Sequence, residues 1–97
     1  MTLSALIANL EALDDSLCIV AKRPWSSDAE AIAIRLTSDF RIPEQIKADG
    51  YEYFLEVHVA REEVLGELES QLSDEQRLAA ILFYAENDAY PDWLWTR

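Results

Sequence analysis

Two glycines and three prolines are all that punctuate this chain of 97 residues. With so few breaks, each one marks something, and the segments between them must declare their structure by hydrophobic period. Residues 2–13 carry Leu3, Leu6, Ile7, Leu10 and Leu13 at spacings of three and four. That stripe predicts a helix, with Thr2 able to cap it and Asp14-Asp15 ending it. Residues 17–22, Leu-Cys-Ile-Val-Ala-Lys, are β-rich and almost wholly apolar, as a central strand requires. Pro24 stops that strand, and residues 23–28 read as a loop. Residues 31–37 alternate, with Ile32, Ile34 and Leu36 on one face and Ala31, Ala33, Arg35 and Thr37 on the other, a strand with one wet or lightly covered face.

Pro43 suits the first turn of a short helix over 43–50, and Gly50 suits its left-handed end. Residues 51–59 give the clearest alternation. Tyr51, Tyr53, Leu55, Val57 and Val59 point one way, and Glu52, Phe54, Glu56 and His58 the other. A helix is expected over 61–72 on the stripe Val64, Leu65, Leu68, Leu72. Another begins at the capping box Ser73-Asp74-Glu75-Gln76, turns Leu78, Ile81, Leu82 and Ala85 inward, and ends at Asn87-Asp88. The order α-β-β-α-β-α-α predicts one α+β domain over 1–97: a three-stranded, mainly antiparallel sheet with helices on one face. Strand order stays open, as does a parallel pair across 39–50. The expected core is Leu6, Leu10, Ile19, Ile34, Leu55, Val57, Leu68 and Leu82. Glu52 and Glu56 are expected on the face away from the helices.

Charge bears on function more than on fold. The chain has nineteen acids, eight Lys or Arg and a net charge of −11. Residues 1–48 hold seven acids and five bases, whereas 49–97 hold twelve acids and three bases. A compact domain with that field repels itself, which suggests a positively charged partner. The same field disfavours nucleic acid and anionic lipid, so neither is expected as a direct ligand. No run approaches the ~20 apolar residues of a membrane span, and no secretory signal opens the chain. Cys18, the lone cysteine, lies in an apolar run and reads as a buried, inert thiol in a reducing cytoplasm.

Chemistry is hard to place. His58 beside Glu56 is conceivable as a base or metal ligand, but metal sites want several convergent ligands, and zinc favours the scarce Cys and His. The carboxylate pairs Asp14-Asp15 and Glu62-Glu63, and Glu63 with Glu67, read as solvated faces. Asn87-Asp88-Ala89-Tyr90-Pro91-Asp92 lacks the glycine of a calcium loop. No serine sits in a glycine-flanked elbow and no phosphate loop exists, so no enzyme, metal or cofactor is expected. A concave pocket around His58 or Glu56 would favour a small-molecule role.

The densest block is Phe83-Tyr84-Ala85-Glu86-Asn87-Asp88-Ala89-Tyr90, followed by Pro91-Asp92-Trp93-Leu94-Trp95. Its aromatics suit an interface core, and its acids suit steering of a basic partner. Tyr90, Trp93, Leu94 and Trp95 are expected to order the tail against the domain or across a dimer. Phe83, Tyr84, Asn87, Asp88, Ala89 and Tyr90, with the opening leucine helix, resemble a group of small acidic bacterial proteins closing on F-Y-x-x-N-D-A-[FY]. The resemblance implies a cytosolic α+β domain without known activity, broadly similar to immunity proteins and inhibitors. The Trp93-Leu94-Trp95 ending departs from that pattern. The function expected is thus non-enzymatic: an acidic protein that neutralises or regulates a basic protein partner. Its contact set would be Glu62, Glu63, Glu67, Glu69, Glu86, Asp88, Tyr90, Asp92, Trp93 and Trp95. The alternative is a structural or regulatory homodimeric domain.

Overall fold

The computed structural model describes residues 1–66, 71–87 and 89. Helix α1 spans Leu3–Ala8 and is followed by a 3-10 turn, Leu10–Ala12. Strands β1 (Cys18–Lys22) and β2 (Ala31–Ile34) come next, then α2 (Glu44–Ala48) and β3 (Tyr51–Glu56). A π-helix, Val59–Leu65, and α3, Asp74–Asn87, follow among the described residues. The sheet has the order β2-β1-β3 and both pairings are antiparallel. The α+β architecture expected from the pattern is the one observed.

Local chemistry explains the ends of the elements. Thr2 Oγ1 accepts a hydrogen bond from the Ala5 amide (3.1 Å), capping α1. The Ser73 hydroxyl accepts from the Gln76 amide (3.1 Å), and the Gln76 side chain accepts from the Ser73 amide (3.0 Å). That reciprocal pair satisfies two otherwise orphaned donors at the start of α3. Gly50, with φ +97°, closes α2 in the left-handed region.

Register divides the sheet into two unlike faces. Ile19 and Ala21 pair with Ala33 and Ala31 and join one core with Leu3, Leu6, Ile7, Leu10, Val64, Leu65, Ala80 and Ile81. The small alanines of β2 let α1 approach it closely, while α3 packs on α1 and the π-helix. Cys18 and Val20 pair with Ile34 and Ile32 on the opposite face. Ile34 was expected in the core, but it lies half-buried on that second face, because the helices pack on the alanine side of β2. Leu6, Leu10, Ile19, Leu55 and Val57 are buried as expected, and Leu82 is half-buried against the core. Leu68 lies outside the described residues.

β3 departs most from simple alternation. Ile19 pairs with Leu55 and Val20 with Tyr53, so Phe54 is an extra residue in a β-bulge. The bulge reverses which residues face the helices. Phe54, expected on the wet face, is 2% exposed and joins the core, while Tyr53, expected on the apolar face, is 46% exposed. Trp25 meets Phe54 edge to face, with ring centroids 4.9 Å apart, and its Nε1 donates to the Ala21 carbonyl (3.3 Å). Glu56 pairs with Cys18 on the second face, as expected. Glu52 pairs with Ala21 on the helix side instead, one step beyond the bulge.

The strand expected to reach 59 stops at Glu56, and the helix expected over 61–72 starts earlier and ends at Gly66. Gly66, at φ +50°, adopts the conformation that terminates it. Ala60 and Leu65, both buried, are five residues apart, the spacing of i→i+5 bonding. The strand expected over 31–37 likewise ends at Ile34, before a turn.

Candidate functional site

The charged side chains of the described residues are unevenly used. Lys22 meets Glu30 (2.9 Å), and Arg23 meets Glu86 (3.1 Å) and Glu52 (3.8 Å). Arg35 meets Asp14 (3.7 Å), Arg61 pairs with Asp15, and Arg77 pairs with Asp74. Five of the seven described cations are therefore tied to carboxylates. Glu11, Asp28, Asp39, Glu44, Asp49, Glu62 and Glu75 are exposed and make no ion pair among the described residues. The Ser16 hydroxyl (2.6 Å) and amide (2.8 Å) donate to Asp14, and these bonds with Arg35 hold its carboxyl below the usual range. Hydrogen bonds from Lys22 and Tyr51 do the same to Glu30.

Of the contact set read from the sequence, Glu62 is exposed on the π-helix and Glu86 is exposed on the last turn of α3. Glu86 is not free: Arg23 donates to both its oxygens (3.1 and 3.3 Å). The Glu63 side chain, Glu67, Glu69, Asp88, Tyr90, Asp92, Trp93 and Trp95 lie outside the described residues, as does the tail expected to fold back. Phe83 is exposed and Tyr84 half-buried on α3.

The second sheet face and its margin carry three adjoining concavities. The first, about 320 Å³, is lined by Asp15, Ser16, Arg35, Leu36, Thr37, Phe40, Glu56 and His58. Arg35 donates to the Ser16 hydroxyl (2.7 Å) at its wall. The second, about 340 Å³, is lined by Phe40, Arg41, Ile42, Glu44, Lys47 and Tyr53. The third, about 310 Å³, runs along the outer strand β3 to the end of α3, between Trp25, Tyr53, Phe54, Leu55, Val59, Tyr84 and Ala85. Phe40 walls the first from the second, and Tyr53 walls the second from the third.

Phe40 is the residue that sequence reasoning missed. It sits at the tip of a turn closed by the Thr37 amide donating to the Arg41 carbonyl (2.8 Å) and its own amide donating to the Thr37 carbonyl (2.8 Å), has φ +60° and is 82% exposed. A bulky residue in the left-handed region is strained, and one so exposed draws no packing in return. The available signal was a lone aromatic in the polar run Thr37-Ser38-Asp39, with no alternating strand to hold it.

His58, in helical backbone geometry, immediately precedes the π-helix rather than alternating on a strand, and it lines the first concavity with Glu56. Among the described residues, no group of three or more His, Cys, Asp or Glu is placed to hold a metal ion. Cys18 is buried, and burial with nearby Glu56 pushes its thiol up to about 12. Tyr53 is pushed up to about 12 by burial, then by Glu56 and Cys18. No helix among the described residues is long and apolar enough to cross a membrane. No curated protein and no solved structure matches the chain. One family model does match, over residues 1–93, and by that match the chain belongs to the family described as a domain of unknown function, DUF7716.

Proposed function

We propose that this chain is a non-enzymatic acidic binding protein that captures a basic protein partner and neutralises or regulates it, as an immunity protein or inhibitor does. One observation carries the reading. Five of the seven described cations are already tied to carboxylates, yet a net charge of −11 remains, and seven described acids face solvent without an ion pair among the described residues. Such a surplus is available to an external cationic surface, where it steers encounter and rejects anionic competitors. Glu62, Glu63, Glu67 and Glu69 supply the acidic stretch of this reading. Glu86, Asp88, Tyr90, Asp92, Trp93 and Trp95 supply the acidic-aromatic one. The Arg23–Glu86 pair does not oppose this, since an exposed pair is worth only ~0–1 kcal/mol and a partner's arginine can replace it. A buried, unreactive Cys18 suits work in a reducing cytoplasm.

The test is capture at low salt on the immobilised chain, identification of the retained proteins, and re-measurement with Glu62→Lys and Glu75→Lys. Retained proteins should be basic, and the double variant should lose most affinity. Neutral or acidic proteins held equally by the variant would overturn the proposal.

A second reading, small-molecule binding, has one observation in its favour: the concavity that joins His58, Glu56, Ser16 and Arg35. Small metabolites that shift the NMR signals of those four residues together would move the account toward it.

A further inference from the structure

The two described cations without a carboxylate partner, Arg41 and Lys47, line the same cleft. Both are exposed. Between them lie Ile42 and the two exposed rings, Phe40 and Tyr53, with Glu44 the only acid in the lining. A strongly acidic chain thus leaves its spare positive charge beside exposed aromatic surface, on the sheet face away from the main helices. We propose that this cleft docks an acidic segment of a partner protein bearing an aromatic or large aliphatic side chain.

Charge complementarity and shape select that occupant. The two cations against one acid favour a carboxylate locally. At physiological salt, charges beyond ~8 Å are screened, so the chain's distant acids weigh less than Arg41 and Lys47. Phe40, 82% exposed as a residue, offers a contact for an apolar side chain. Phe40 and Tyr53 each also line a neighbouring concavity, so an extended segment that crosses either ring meets a further hollow beyond it. A basic segment finds two like charges at the same place, which is how the cleft discriminates. This surface is separate from the acidic one above, and either can fail without the other.

The probe is a capped peptide, Glu-Phe-Glu-Leu-Glu-Phe-Glu, titrated into the labelled full-length chain and followed by NMR. Its lysine-for-glutamate counterpart serves as the control. The acidic peptide should shift Phe40, Arg41, Ile42, Lys47 and Tyr53 as one set. Arg41→Glu with Lys47→Glu should weaken it by about tenfold, as expected when two exposed pairs turn repulsive. Phe40→Ala should weaken it by about threefold. All three side chains are exposed, and unchanged melting of the variants establishes that they fold. The proposal is overturned if the acidic peptide leaves these residues unmoved or binds the double variant equally well. It is also overturned if the lysine peptide shifts the same set, or if the set shifts with chain concentration alone, which would make a second copy the occupant.

Discussion

Truncating Phe54 and Tyr53 separately tests the bulge that sets the two faces of the sheet. Uninterrupted alternation puts Tyr53 in the core and Phe54 in water, while the bulge does the reverse. Phe54 is almost fully buried, and Phe→Ala at such a site costs ~3–5 kcal/mol. Its edge-to-face contact with Trp25 contributes ~0.5–1.5 kcal/mol of its own, so Phe54→Ala belongs in the upper part of that range. For a domain of this size, ~4 kcal/mol lowers Tm by roughly 15–30 °C. Tyr53, nearly half exposed, should lose less than ~1.5 kcal/mol on truncation to Ala. Urea unfolding followed by circular dichroism reads both. Because total stability is only ~5–15 kcal/mol, Phe54→Leu, at ~1–2 kcal/mol, keeps the comparison measurable if the alanine variant unfolds. A Tyr53 truncation that costs more than the Phe54 one would refute the register.

Further outcomes follow from the packing and the titrations. Leu55→Ala should cost ~2–5 kcal/mol by urea unfolding, since Leu55 pairs with Ile19 in the core. Ser73→Ala should cost ~0.5–2 kcal/mol by removing the cap of α3, and a change within error would show the box to be idle. Cys18 and Tyr53 hold their protons more tightly when folded, at about 12 each against ordinary values of 9.0 and 10.0. Their stabilisation is therefore complete below pH 9 and lost as pH rises toward about 12. Cys18→Ala with Tyr53→Phe should flatten that alkaline fall; an unchanged slope contradicts the assignment. Native Cys18 should resist thiol reagents at neutral pH until the chain is unfolded.

What could be read from the sequence was local. Thr2, Ser73 with Gln76, and Gly50 announce themselves because a cap or left-handed position needs particular side chains next to it in the chain. The strands were visible as apolar runs and alternations. The bulge at Phe54 was not, because an extra residue shows only against its partner strand, and Tyr53-Phe54-Leu55 reads as ordinary alternation by itself. Ile34 looked like a core residue by hydrophobicity, yet the helices took the alanine face, where close approach is sterically allowed. The candidate site was half legible. Composition revealed the acidic surplus, but which cations were already paired, and that Arg41, Lys47, Phe40 and Tyr53 share a cleft, depends on tertiary placement.

Electrostatic capture makes its sharpest claim about rates. With a basic partner in hand, stopped-flow association across an ionic-strength series from about 0.02 to 0.3 M reads the long-range field directly. The account predicts that the association rate constant falls by at least about tenfold across the series while dissociation changes far less, and that Glu62→Lys with Glu75→Lys flattens the slope. An association rate indifferent to salt, in the wild-type chain and the variant alike, would contradict it.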